Sequence, residues 1–154
     1  MLRASRAAPF DATRLCAAVD AFAQPLMQHQ LCTVNRLDPE QLRLTRVYSS
    51  NPAAYPPGGT KDKRGTPWGE QVLVERRVFV GEGTEAIRAS FDDHAAIARL
   101  ALRSVVNVPV VFEQQCLGTL NLLMQAAVVR PEQVAFAQLL SMLLLPVFLQ
   151  GGGA

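Results

Sequence analysis

Asp92-Asp-His94 is the triplet best equipped for chemistry in this chain, since a carboxylate beside an imidazole can supply a general base and the group that orients it. The same residues also suit a helix start, with Asp92 as cap and Asp93 and His94 in a first turn that tolerates acids. Neighbouring side chains on a helix diverge by about 100°, which works against a shared proton and favours the capping role. No serine or cysteine nearby sits in a recognisable nucleophile context. His29 falls at the end of an expected helix, where a cation suits the dipole, and reads as structural. Trp68, the one tryptophan, could stack on a planar ligand or anchor a short helix to the core; both readings stay open. Tyr48 offers a ring with a polar tip, for core or rim. Lys61, Lys63 and Arg64 could greet an acidic ligand, but a charged loop ordinarily faces water.

Two asparagines stand inside otherwise apolar runs, Asn107 in Ser104-Val-Val-Asn-Val-Pro-Val-Val-Phe112 and Asn121 in Gly118-Thr-Leu-Asn-Leu-Leu-Met124. A buried asparagine has up to four hydrogen bonds to make, and an unmet one costs ~1–3 kcal/mol. Whether the two act together depends on register. A two-residue hairpin loop puts them on opposite faces of the sheet, whereas a three-residue loop, Glu113-Gln-Gln115, puts them directly across from each other. The residues leave both registers open.

The elements that must position these groups follow from periodicity. Asp11 caps a helix whose stripe is Leu15, Ala18, Val19, Phe22 and Leu26, with Pro25 disturbing its last turn. Strands are expected over Leu31–Leu37 and Leu42–Ser50, with Leu42, Leu44, Arg46 and Tyr48 on one face of the second. Residues 51–65 read as a loop. Thr66 caps a short helix with Pro67 at its first position, followed by a brief strand at Val78-Phe-Val80 and two short helices, from Thr84 and from Asp92. Arg103–Phe112 and Cys116–Met124 form the strongest strand pair. The last helix, Pro131 to about Leu149, is apolar almost all round and needs burial on two sides, one of them a second subunit.

Composition narrows the class. The 154 residues are 49% hydrophobic and 18% charged with a net charge of +2, which fits one packed domain and argues against nucleic acid as a partner. Three cysteines, Cys16, Cys32 and Cys116, are too far apart for a disulfide framework or a zinc site, so no metal is expected. The first residues lack the apolar stretch of a secretory signal, and the apolar run Val134–Leu149 is short of the ~20 residues of a membrane span. A cytoplasmic protein with reduced thiols is the expectation. The order helix, two strands, helical middle, two strands, helix implies an α+β three-layer sandwich with a central antiparallel sheet, terminal helices on one face and the middle segment on the other.

Ser104-Val-Val-Asn-Val-Pro-Val followed by Leu117-Gly-Thr-Leu-Asn-Leu122 resembles the C-terminal hairpin of GAF domains, in which a serine-led strand ending in Val-Pro precedes a Gly-x-Leu-x-Leu strand. The resemblance covers roughly residues 11–149. It implies a small-molecule sensing domain with a pocket between sheet and middle helices, often paired through the terminal helices; the fold alone does not choose the ligand. The Asn-Lys-x-x-x-Phe-x-x-x-Asp-Glu run of the cyclic-nucleotide-binding subgroup is absent. No cysteine lies in the middle region where many bilin-binding members attach their chromophore, and residues 33–115 lack the clustered cysteines that reduction of free methionine sulfoxide requires.

The expectation is therefore a flexible N-terminus (1–10), a single GAF-like domain (11–149) and a flexible tail (150–154). The domain is expected to be a non-catalytic sensor with no cofactor, binding an unknown small molecule at Tyr48, Trp68, Phe79, Phe91, Asp93, His94 and Asn107. It is expected to act as a homodimer through its first and last helices, with output to a separate signalling partner and no contact with a membrane. Two other readings stand beside it. One is an interaction module with a vestigial pocket; the other is an enzyme using Asp93 and His94.

Overall fold

A computed structural model describes residues 9–150, so the expected flexible ends at 1–10 and 150–154 fall almost wholly outside the described residues. The element order is α1 (Ala12–Met27), β1 (His29–Asp38), β2 (Arg43–Ser49), β3 (Thr60–Asp62), α2 (Pro67–Gly69), β4 (Phe79–Glu82), α3 (Thr84–Ser90), α4 (His94–Arg99), β5 (Ser104–Phe112), β6 (Gln115–Met124), α5 (Pro131–Leu143) and α6 (Leu145–Leu149). A π-helical turn, Glu70–Val74, continues α2. The six strands form one antiparallel sheet in the order β3-β2-β1-β6-β5-β4.

Alternation along the central strands divides the interior into two cores. Cys32, Val34, Val106, Val108, Leu120 and Leu122 face the terminal helices α1, α5 and α6. Leu31, Leu44, Val105 and Leu123 face the other way, onto Tyr55, Trp68, Phe91 and Ile97 from the middle segment. The three-layer α+β sandwich is thus the observed architecture.

Capping chemistry placed two helix starts correctly. Asp11 accepts from the amide of Arg14 at 3.2 Å, and Thr66 Oγ1 accepts from Gly69 at 3.0 Å with Pro67 at the first position. Two other caps are absent: α3 begins with Thr84 itself, and α4 begins after Asp93 with no side-chain cap, so Asp92 does not cap it. The buried stripe of α1 is Cys16, Val19, Ala23 and Met27, one position round from the expected stripe, and leaves Phe22 exposed. Residues 51–65 are not wholly loop, because Thr60–Asp62 pairs with Arg43–Thr45 as the edge strand. Pro146 divides the final helix after Leu144.

Two bulges decide which side chains meet. The β5–β6 loop is only Glu113-Gln114, both at positive φ, as a tight hairpin turn requires. Unaided, it would separate the two asparagines. An extra residue at Leu117 shifts the register between Val111↔Cys116 and Val110↔Gly118, which sets Asn107 opposite Asn121. On β2, Val47 is the extra residue between the pairs Val34↔Tyr48 and Asn35↔Arg46. Pro109 causes no loss of pairing, since β4 begins at Phe79 opposite Asn107 and Pro109 lies past its end.

Candidate functional site

The pleat places Phe79, Asn107, Asn121 and Thr33 in one row across four strands, on the face turned toward the middle segment. Hydrogen bonds run along that row in one direction. Trp68 Nε1 donates to Asn107 Oδ1 at 3.0 Å, Asn107 Nδ2 donates to Asn121 Oδ1 at 2.7 Å, and Asn121 Nδ2 donates to Thr33 Oγ1 at 3.1 Å. All four residues are buried. An amide row in the middle of an apolar sheet is tolerated because each oxygen and at least one N–H of each amide is paired.

A cavity opens between this row and the middle segment. It offers about 50 Å³ to the centres of water-sized molecules, room for a few waters or a ligand of a few heavy atoms. Leu31, Leu44, Ile97, Val105 and Leu123 supply apolar wall, while Thr33, Asn107 and Asn121 supply polar floor. Arg46, Lys61, Lys63 and Asp93 stand around the rim and sides.

The charges there are unequal. Asp93 is held by Lys61 Nζ at 3.0 Å and by the Tyr55 hydroxyl at 2.9 Å, so both its oxygens are engaged. Burial favours its neutral acid, but the Lys61 charge and then these hydrogen bonds outweigh that and hold the carboxyl below its ordinary range. Arg46 lies 5.0 Å over the Tyr55 ring and donates to the Pro56 carbonyl at 2.9 Å. Lys63 is only 7% exposed, with Nζ 5.0 Å from the Trp68 ring centre and 5.5 Å from that of Phe91. Among the described residues neither Arg46 nor Lys63 forms a salt bridge.

Of the residues nominated from sequence, Trp68, Phe91, Asp93 and Asn107 line this cavity. Phe79 backs it without lining it, meeting Phe91 edge to face at 6.0 Å. Tyr48 is a correction. The bulge at Val47 turns it to the helix face, where its hydroxyl donates to Asp20 of α1 at 2.7 Å. His94 is a second correction, for it borders a separate pocket with Thr84, Arg88 and Leu102. Tyr55 and Thr33 also line it and were not considered, while Lys63, weighed for an acidic ligand but set aside as a solvent-facing charge, and Asn121, left open on register, line it too. The polar alternation Leu31, Thr33, Asn35 was a legible signal for Thr33, and Lys63 gave none, because charged loop residues are rarely buried.

On the opposite face the Asp20 carboxylate also accepts from His29 Nε2 at 2.6 Å, and Cys32 lies beside them. The three donor atoms fall within 4.8 Å of one another, the spacing of a possible metal site. Both Asp20 oxygens are already engaged by His29 and Tyr48, and burial pushes the Cys32 thiol well up, so the cluster is a hydrogen-bonded part of the core.

An antiparallel sheet with terminal helices on one face and a cavity under short helices on the other defines a three-layer α+β domain. Solved structures give this architecture a family name. The GAF domain of a two-component sensor histidine kinase from Bacillus halodurans superposes with a TM-score of 0.72 at 14% identity, covering 89% of this chain and 92% of that one. The GAF domain/HD domain protein from Geobacter sulfurreducens gives 0.75 at 13% identity, covering 96% and 100%. A type II free methionine-R-sulfoxide reductase from Thermoplasma acidophilum gives 0.63 at 12%, covering 89% and 91%. No family model and no curated sequence matches the chain. The chain has the GAF-domain fold.

Proposed function

We propose that this chain is a non-catalytic, small-molecule-binding sensor domain whose ligand occupies the cavity over the Asn107–Asn121–Thr33 row. One observation carries the reading: four buried polar groups are linked into a chain that ends on an internal cavity, where apolar residues would have packed at lower cost. The sensor role draws on the company of the fold, which includes domains of sensor kinases. The enzyme reading loses its pair, because His94 lies outside the cavity and Asp93 is committed to Lys61 and Tyr55. Native mass spectrometry of freshly purified protein should find a small molecule retained at one per chain. A thermal-shift screen in which no metabolite raises the melting temperature would overturn the reading.

Output would pass through the terminal helices. Phe22, Leu139 and Met142 are 64%, 61% and 63% exposed on α1 and α5, and Phe22 packs against Phe136 at 5.8 Å. Exposed apolar residues grouped on one face are costly to leave in water and fit an isologous contact with a second copy. The same packing bears on the membrane: Ala137, Leu140, Leu144 and Val147 of this apolar stretch lie against the domain's own sheet. The protein is expected to sediment as a dimer at micromolar concentration and Leu139→Glu as a monomer. A monomeric parent chain would remove the dimer from the proposal.

A further inference from the structure

The cavity's contents can be narrowed from its own imbalance of charge and donors. Three cations and one carboxylate line it, and that carboxylate is already engaged twice, by Lys61 and Tyr55. Lys63 is the unusual member. Its side chain is buried against Trp68 and Phe91, whose ring faces replace part of the water around the ammonium and compensate only partly. It makes no hydrogen bond among the described residues, and three N–H donors are therefore unused. Burial first, then the neighbouring Lys61 charge, lower its proton affinity, and the Asp93 and Asp92 carboxylates offset this only in part.

The floor is likewise rich in donors. Asn107 Nδ2 carries two N–H groups and spends one on Asn121, while Thr33 Oγ1 accepts from Asn121 and keeps its own proton free to give. Lys63 and these donors all line one small space. Leu31, Leu44, Ile97, Val105 and Leu123 form an apolar stretch of the wall, while Lys61 is engaged by Asp93 and Arg46 by the Pro56 carbonyl and the Tyr55 ring. A ligand matching this lining has an anionic head with several acceptor oxygens and a short apolar tail.

We infer that the cavity binds a short-chain carboxylate, its carboxylate between the Lys63 ammonium and the Asn107–Thr33 donors and its carbon tail against the Leu31–Val105–Leu123 wall. The inference rests on the cavity being the ligand site. It assigns Lys63 to recognition at a cost in stability: no protein group among the described residues pairs with this cation, and the anion supplies the partner.

The test uses propionate, its neutral isostere propionamide, propylammonium and inorganic phosphate in calorimetric titrations and thermal melts of the whole chain. Propionate is expected to bind and raise the melting temperature, propionamide and propylammonium to do neither, and phosphate to bind at least tenfold more weakly for want of a tail. Lys63→Met should weaken propionate binding at least tenfold, while ligand-free Lys63→Met melts at or ~2–4 °C above the parent, so that lost binding is not lost folding. Lys63→Arg should restore part of the affinity. Propionamide binding as tightly as propionate, phosphate binding as tightly, or Lys63→Met binding propionate within twofold of the parent would each overturn the carboxylate assignment. Where native mass spectrometry shows a retained neutral or cationic ligand and none of the anions binds, the cavity reading stands and the carboxylate fails; where nothing is retained and no metabolite stabilises the protein, both fail.

Discussion

Alanine at position 118 is expected to lower the unfolding free energy by about 3–4 kcal/mol, read as a fall in the urea midpoint at unchanged slope. Gly118 stands on the helix face of β6, opposite Val110 on one side and Arg36 on the other. A Cβ there would run into the backbone oxygen of Asn35 and into the Phe148 ring, well inside van der Waals contact. The first obstacle belongs to the sheet ladder and cannot swing aside. The second belongs to α6, whose Phe148 ring is seated in the space that the missing side chain leaves. Arg36 fixes the same corner from β1, donating to the Val147 carbonyl at 2.9 Å and stacking its guanidinium 5.3 Å from the Phe148 ring centre. Relief therefore needs both a strand shift and an unseated helix end, and a domain with ~5–15 kcal/mol in hand keeps little margin after that. Gly58 is the control: it is exposed at a φ of 92°, and a Cβ there meets nothing within 4 Å, so alanine should show only the smaller penalty of a left-handed backbone. If Gly118→Ala proves as mild as Gly58→Ala, α6 is not docked where Phe148 places it.

The contrast between those two glycines also says what could be read from the sequence. Gly118 belongs to the Gly-Thr-Leu-Asn-Leu run, where alternation shows that it shares a face with Leu120 and Leu122, and that local pattern carried the fold. Caps were legible on the same ground, since Asp11 and Thr66 act within three residues of themselves. The site was less legible because its decisive features are irregularities. A single extra residue at Leu117 brings Asn107 and Asn121 together, and another at Val47 sends Tyr48 to the far face. Bulges of this kind carry no dependable residue signature, yet each reverses every side chain beyond it. Strand β3 was missed because Thr60-Lys-Asp62 has no apolar alternation; an edge strand with one paired side does not need any. Lys63 was hidden for a different reason. Its burial depends on aromatic walls contributed by Trp68 and by Phe91, which is distant in sequence, so no window around the lysine contains the cause.

Asn107→Ala should cost about 2–4 kcal/mol, because it strips a partner from two buried groups at once, the Trp68 N–H and the Asn121 carbonyl, at ~1–3 kcal/mol each. Part of that loss will be recovered if water from the adjoining cavity takes the place of the amide, which keeps the figure below the sum. A double-mutant cycle isolates the link: Trp68→Phe removes the indole donor while keeping a ring, and its effect should shrink by about 1 kcal/mol or more in the Asn107→Ala background. Independent, additive effects would mean that the indole bond is worth nothing to the fold. Replacing both amides separates stability from function more sharply. Asn107→Leu with Asn121→Leu, made in the Trp68→Phe background, removes the indole donor and both amides together, and such paired removal is often near neutral, so this variant should be less destabilised than Asn107→Ala alone. A core that apolar residues would hold at least as well has no structural need of its asparagines. The same variant loses the donors that face the cavity and should therefore fail to retain the small molecule seen on the parent chain by native mass spectrometry. A double-leucine protein that is both well folded and still loaded would locate the ligand elsewhere and reduce the amide row to an accident of packing.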